Sequence, residues 1–164
     1  MSYEWTAYVD GAARSNPGGG GIGVLLQPGE GGSLEISQWI QARDNNYAEY
    51  AALLVALAVC SRHQCRTLQV FSDSQVVVRQ ISGLYRCQSP SLRRIHEHCQ
   101  DLIRGFEQFS IEHIRREQNY ADRLAHAAME RADREMAEVI CPDSLLHWAL
   151  ADVQGAPVLA GIPA

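Results

Sequence analysis

Residues 45 to 63, NNYAEYAALLVALAVCSRH, are rich in alanine and leucine, with no glycine or proline. Alanine and leucine enter helices at little cost, and a helix this apolar is mostly buried. The segment therefore predicts a long central helix that the rest of the chain must cover. At 164 residues the chain is long enough for one domain with a real core, and too short for two comfortable ones.

The flanking segments read as that cover. Trp5 to Asp10, Ile22 to Gln27 and residues 33–40 are β-type runs joined by glycine-rich turns, which suggests an antiparallel meander. After the central helix, TLQVFS (67–72) is a short strand, and Asp73 to Ile81 reads as a helix ending at Gly83. Ser89 followed by Pro90 starts a further helix, whose apolar positions Leu92, Ile95, Cys99, Leu102, Ile103 and Phe106 keep a spacing of three and four. FSIEHI (109–114) is a fifth strand, and Asn119 can cap a last helix through Leu124, Ala125, Ala128 and Met129. The expected fold is α/β: a five-stranded mixed sheet, three antiparallel strands and then two parallel ones, flanked by helices. Residues 1–140 form the expected domain. Residues 141–164 form a tail whose Leu145, Leu146, Trp148 and Leu150 can pack back, with the last ten residues loose.

Composition narrows the function. No stretch approaches the length of a membrane span, and the N-terminus lacks the basic and apolar regions of a signal peptide, so a cytoplasmic protein without a membrane role is expected. Five cysteines, an odd number with no C-x-x-C pair, suit reduced thiols. A zinc site drawn from Cys60, His63, Cys65, His96, His98 and Cys99 would match no common ligand spacing. The 14 basic residues are all arginine, and the net charge of −5 weakens a nucleic-acid reading without excluding it. Catalytic carboxylates count in that sum, and bound divalent ions would reverse their local sign.

The carboxylates fall in a pattern. Asp10 ends the first strand and Asp73 the fourth, so parallel neighbours would bring both to the carboxyl edge of the sheet, where open α/β sheets bind ligands. Glu49 and Asp122 lie in the opening turns expected for the long helix and the last one. Singly, such acids stabilise helix dipoles or form turns. Four together repel unless a cation holds them, and an all-oxygen set selects Mg2+ or Mn2+. Two such ions can activate water and stabilise a leaving oxygen in phosphodiester cleavage. Gly18, Gly20 and Gly23 also satisfy G-x-G-x-x-G, but a β-type run follows where a dinucleotide site needs a helix. Those glycines read instead as shaping a hairpin and admitting a ligand backbone.

Taken together, four segments resemble the type 1 ribonuclease H family. DGAARSNPGGGGIG (10–23) is similar to its D-G-x-x-x-x-N-P-G-x-x-G-x-G opening and NNYAE (45–49) to its helix start. SDSQ (72–75) and NYADRLA (119–125) resemble its two later acidic segments, in the family's order and spacing. The resemblance implies endonucleolytic cleavage of the RNA strand in RNA–DNA hybrids, leaving 5′-phosphate and 3′-hydroxyl ends. It makes Asp10, Glu49, Asp73 and Asp122 the catalytic metal-binding set, with Asp10 bridging two Mg2+ or Mn2+ ions when substrate is bound. Glu49 and Asp73 would complete the leaving-group ion, and Asp122 the water-activating ion. Gly11, Asn16, Asn46 and Gln75 match positions that contact the hybrid. The glycines would then keep side chains clear of a minor groove read through its 2′-hydroxyls. A monomer is expected.

Two departures mark the compact form of the family. GLYRCQSPS joins the second and third helices directly, leaving Arg86, Arg93 and Arg94 as nearby basic candidates in place of a basic protrusion. The loop before the last acid reads RREQNYAD and lacks the family's histidine. Arg116 or Glu117 is a substitute, whereas His113, inside a strand, is expected to pack. Two rivals are a binding module that keeps the fold without catalysis and a 3′–5′ exonuclease. The exonuclease would carry D-x-E where this chain has Asp10, Gly11 and Ala12.

Overall fold

The protein was analysed as a computed structural model, which describes residues 2–14, 19–42, 44–130 and 142–151. Strand β1 (Trp5–Ala13) pairs antiparallel with β2 (Gly19–Pro28), which pairs antiparallel with β3 (Leu34–Gln41). Helix α1 (Asn45–Arg62) crosses over to β4 (Thr67–Ser72), which lies parallel to β1. Helices α2 (Gln75–Ile81) and α3 (Pro90–Ile103) lead to β5 (Gln108–His113), parallel to β4. A single 3-10 turn, Arg116–Gln118, precedes α4 (Asp122–Glu130), and α5 (Pro142–Leu150) follows. The sheet order β3-β2-β1-β4-β5 is the mixed sheet expected from the sequence, with β1 at its centre.

Helix α1 is the keystone of the core. Every residue from Tyr50 to Cys60 is fully buried, because β1 and β2 cover one side while α3 and α5 cover the other. Asp44 caps its start, its side chain accepting from the Tyr47 N–H at 2.8 Å. Glu49 therefore sits just past the first turn, which carries no acid, and the dipole role suggested for it does not apply. Asp73 likewise precedes α2 rather than opening it, since Ser74 is the cap.

Helix α5 docks through Leu145 and Ala149, which enter the core, while Leu146 and Trp148 are partly buried against it. Its first turn is held by Asp143, which accepts from Arg94 Nε at 3.0 Å and lies 2.6 Å from His98 Nε2. The carbonyls of Ala149, near its end, and of Ala151, just past it, accept from Arg62 Nη1 at 3.2 and 2.7 Å. Arg94 thus pairs with Asp143 while staying exposed, as Arg86 and Arg93 are. The last ten residues, expected to be loose, lie outside the described residues.

The glycines of β2 have a packing role. A Cβ on Gly21 would stand 2.3 Å from the Ala125 carbonyl oxygen, and one on Gly23 would stand 2.4 Å from that of Ala121. Only glycine lets α4 lie this close to the sheet. The reading of these two positions as clearance for a ligand is therefore corrected: they make room for α4.

Candidate active site

Parallel pairing places Val9 opposite Ser72, so the next residues, Asp10 and Asp73, leave neighbouring strands at the same level. Asp10 is 2% exposed and faces the α4 side of the sheet, opposite Gly23. Gly11 turns the other way, and a Cβ there would stand 2.2 Å from the Ala48 backbone. That close approach carries Glu49 to the sheet edge, where its Oε1 accepts from the Gly11 N–H at 2.6 Å. The same N–H lies 3.0 Å from Asp10 Oδ1. Asp10, Glu49 and Asp73 each offer a carboxylate oxygen within 4.8 Å of the others.

From the other side, α4 opens with Asp122, which forms a second such group with Asp10 and His126. Three acids from separate parts of the chain, Glu49, Asp73 and Asp122, thus converge on Asp10. Their mutual influence is large: burial first, then the charge of Asp73, pushes the Asp10 carboxyl up to about 7. Burial and the charge of Asp10 raise Glu49 as well. Asp10 Oδ2 and Asp122 Oδ1 are buried and accept no hydrogen bond. Buried carboxylate oxygens that face one another without a hydrogen bond fit divalent cations, and the oxygen-rich donor set is that of Mg2+ or Mn2+.

Two asparagines, unmarked as site residues in the sequence reading, align these acids. Asn119 was expected only to cap the last helix. It is 5% exposed; its Nδ2 donates to the Val9 carbonyl at 2.9 Å and to Asp73 Oδ2 at 3.2 Å, while Oδ1 accepts from the Ala121 N–H at 3.1 Å. One side chain thus ties β1, Asp73 and the approach to α4. Asn45 Oδ1 accepts from the Ala13 N–H at 2.9 Å, fastening α1 to the end of β1. Nothing in the sequence separates such an asparagine from a helix cap, because its partners are up to 110 residues away.

A cleft of about 710 Å³ opens over the cluster, with Glu49, Asp73, Arg115, Arg116, Glu117 and His126 among its lining residues. His113 also lines it and is exposed, which corrects the expectation that it packs inside the strand. Of the two residues expected to substitute for the family's loop histidine, Arg116 brings Nε to 3.9 Å from Asp122 Oδ1 and Glu117 lines the cleft. Of the expected hybrid contacts, Gly11 lines the cleft with its N–H directed to the carboxylates. Asn46 and Gln75 are exposed at the starts of α1 and α2, outside the cleft lining, and Asn16 lies outside the described residues.

A mixed sheet in this order, with acids at the ends of both central parallel strands and two more reaching in from helices, is the ribonuclease H fold. Comparison with known proteins agrees. The family described as reverse transcriptase-like matches residues 8–128. The chain is 38% identical over 128 residues to a ribonuclease HI of Halobacterium salinarum, covering 77% of this chain and 64% of that protein. The N-terminal RNase H domain of a Mycobacterium tuberculosis protein, solved fused to maltose-binding protein, superimposes with a TM-score of 0.75 at 33% identity over 81% of this chain and 98% of that one. LC11-RNase H1, solved in complex with an RNA/DNA hybrid, gives a TM-score of 0.71 at 33% identity over 78% of this chain and 98% of that one. The chain belongs to the ribonuclease H type 1 family, in its compact form without the basic protrusion. It spans 64% of the length of the Halobacterium relative and 43% of that of the mycobacterial ones.

Proposed function

We propose that this protein is an endonuclease that hydrolyses the RNA strand of RNA–DNA hybrids, leaving 5′-phosphate and 3′-hydroxyl ends. The observation that carries the reading is the convergence of Asp10, Glu49, Asp73 and Asp122 beneath one cleft, with Asp10 Oδ2 and Asp122 Oδ1 buried and making no hydrogen bond. Asp10, Glu49 and Asp73 would hold one divalent cation and Asp10 with Asp122 a second, either Mg2+ or Mn2+. Two such ions, when bound, supply the charge that activates water and stabilises the leaving 3′ oxygen. The protein's own part is placement. Asn119 holds Asp73 against the end of β1, and the Gly11 N–H holds Glu49 beside Asp10. Arg115 and Arg116 line the cleft and suit phosphates, whereas Asn16, Asn46 and Gln75 are the proposed contacts to sugar, base and phosphate edges. Residues 1–140 would be the catalytic unit, acting as a monomer in the cytoplasm, with α5 bracing it from behind through α1 and α3.

An end-labelled hybrid incubated with Mg2+ or Mn2+, beside duplex DNA and duplex RNA, tests the reading. Internal cuts confined to the RNA strand of the hybrid are expected, and Asp10→Asn should lower the rate by on the order of 10³-fold or more. Equal cutting of duplex RNA would refute the substrate assignment. Hybrid binding without cleavage under either ion would show a binding module on the same fold.

A further inference from the structure

The two groups of acids differ in chemistry. Asp10, Glu49 and Asp73 offer oxygen alone, whereas Asp10 and Asp122 are joined by a histidine nitrogen. We propose that His126 is a direct ligand of the cation held between Asp10 and Asp122, which makes that position selective for a first-row transition ion over Mg2+. The inference rests on the reading of the four carboxylates as a cation centre and adds a ligand to it.

Helix geometry explains the juxtaposition. Asp122 and His126 are four residues apart and share one face of α4, where side chains meet. One ring nitrogen of His126 lies within 4.8 Å of a carboxylate oxygen of Asp10 and of Asp122. Opposite ligands of one ion with bonds of about 2.1 Å stand about 4.2 Å apart, so the three groups close on a cation with small adjustments. Nδ1 also lies 3.0 Å from the Asp122 carbonyl oxygen. A proton on Nδ1 donated to that carbonyl leaves the lone pair on Nε2, the usual way a backbone acceptor prepares a ligating histidine. His126 lines the cleft, so an ion there remains open to substrate.

The chemical consequence follows from ligand type. Mg2+ demands oxygen and dehydrates reluctantly, whereas imidazole binds first-row transition ions. The alternative is a plain ion pair, in which His126 and Arg116 both balance the Asp122 charge from 3.5 and 3.9 Å. The two differ in what a bound ion touches.

Mn2+ alone, titrated to saturation onto the full chain, provides the probe. Electron spin echo modulation from a directly bound 14N nucleus is expected in the wild type and absent in His126→Ala and His126→Gln. Both variants should bind Mn2+ about tenfold or more weakly by calorimetry, with Mg2+ affinity changed less than twofold. Saturable Mn2+ binding with no nitrogen modulation in the wild type would overturn the His126 assignment and leave the carboxylate centre standing. Modulation retained in His126→Ala would move the ligand to another histidine, with His113 in the same cleft, and overturn it equally. A wild type that binds no Mn2+ would overturn the cation centre itself. The wild-type spectrum decides the matter even where a variant fails to fold.

Discussion

Replacing Gly23 by alanine should separate Asp122 from Asp10 without touching either. The added Cβ would stand 2.4 Å from the Ala121 carbonyl oxygen, 2.6 Å from the Ala125 nitrogen and 2.8 Å from Leu124 Cβ. Two of these are backbone atoms of α4 or of the turn leading into it, so no flexible side-chain tip can yield. Restoring ordinary contact at 3.4 Å requires the start of α4 to lift by about 1 Å. That movement also pulls on the hydrogen bond from Ser37 Oγ to the Leu124 carbonyl, 2.7 Å long. Overpacking of this kind costs about 1–3 kcal/mol. In a chain of this size each kcal/mol lowers the melting temperature by about 2–4 °C, so a fall of about 2–12 °C is expected. Gly23 pairs with Asp10, and Asp122 is the first residue of the displaced helix, so the two carboxylates part by a similar distance. A misplacement near 1 Å costs about 10²-fold in rate. Thermal unfolding of the metal-free protein and single-turnover hybrid cleavage measure the two effects. Gly32→Ala is the control, because a Cβ there meets nothing within 4 Å. A Gly23→Ala protein that melts within a degree of the wild type and cuts at its rate would refute the account of α4 placement.

Metal-free protein should lose stability as pH rises, the reverse of an ordinary salt-bridged carboxylate. Burial and neighbouring acids raise Asp10 to about 7 and raise Glu49 too, so each holds its proton more tightly when folded. Their contribution is complete below about pH 4 and is lost as pH climbs through the raised values, past neutrality. Asp10→Asn should flatten that decline, and Mg2+ or Mn2+ should stabilise the wild type more at pH 8 than at pH 5. A melting temperature that rises steadily with pH in chelator contradicts the sign. Arg94→Ala and Asp143→Ala should each lower the melting temperature by about 1–2 °C by loosening α5, with hybrid affinity unchanged. Arg115→Ala with Arg116→Ala should instead weaken hybrid binding and reduce its salt dependence, at nearly constant stability. Weaker hybrid binding in Arg94→Ala would place that arginine on the substrate surface.

The element order and the antiparallel-then-parallel sheet were legible from the chain because each rests on local pattern. Period-two runs, an unbroken apolar helix and an acid at a strand's end are written in consecutive residues. Parallel pairing of β1 and β4 then leaves Asp10 and Asp73 little choice but to emerge together. Tertiary structure decided what local pattern leaves open. Gly21 and Gly23 looked like room for a ligand and proved to be room for α4, since the atoms they avoid lie about 100 residues later in the chain. Arg94 gained its partner Asp143 only when α5 folded back against α3. His113 turned outward at the end of an edge strand, where period-two burial no longer holds. Asn119 gained its role only when β1, β4 and α4 met, because a buried amide is defined by partners that sequence distance hides. Residue type and spacing singled out the acids that the fold brings together; long-range packing set how far apart they stand.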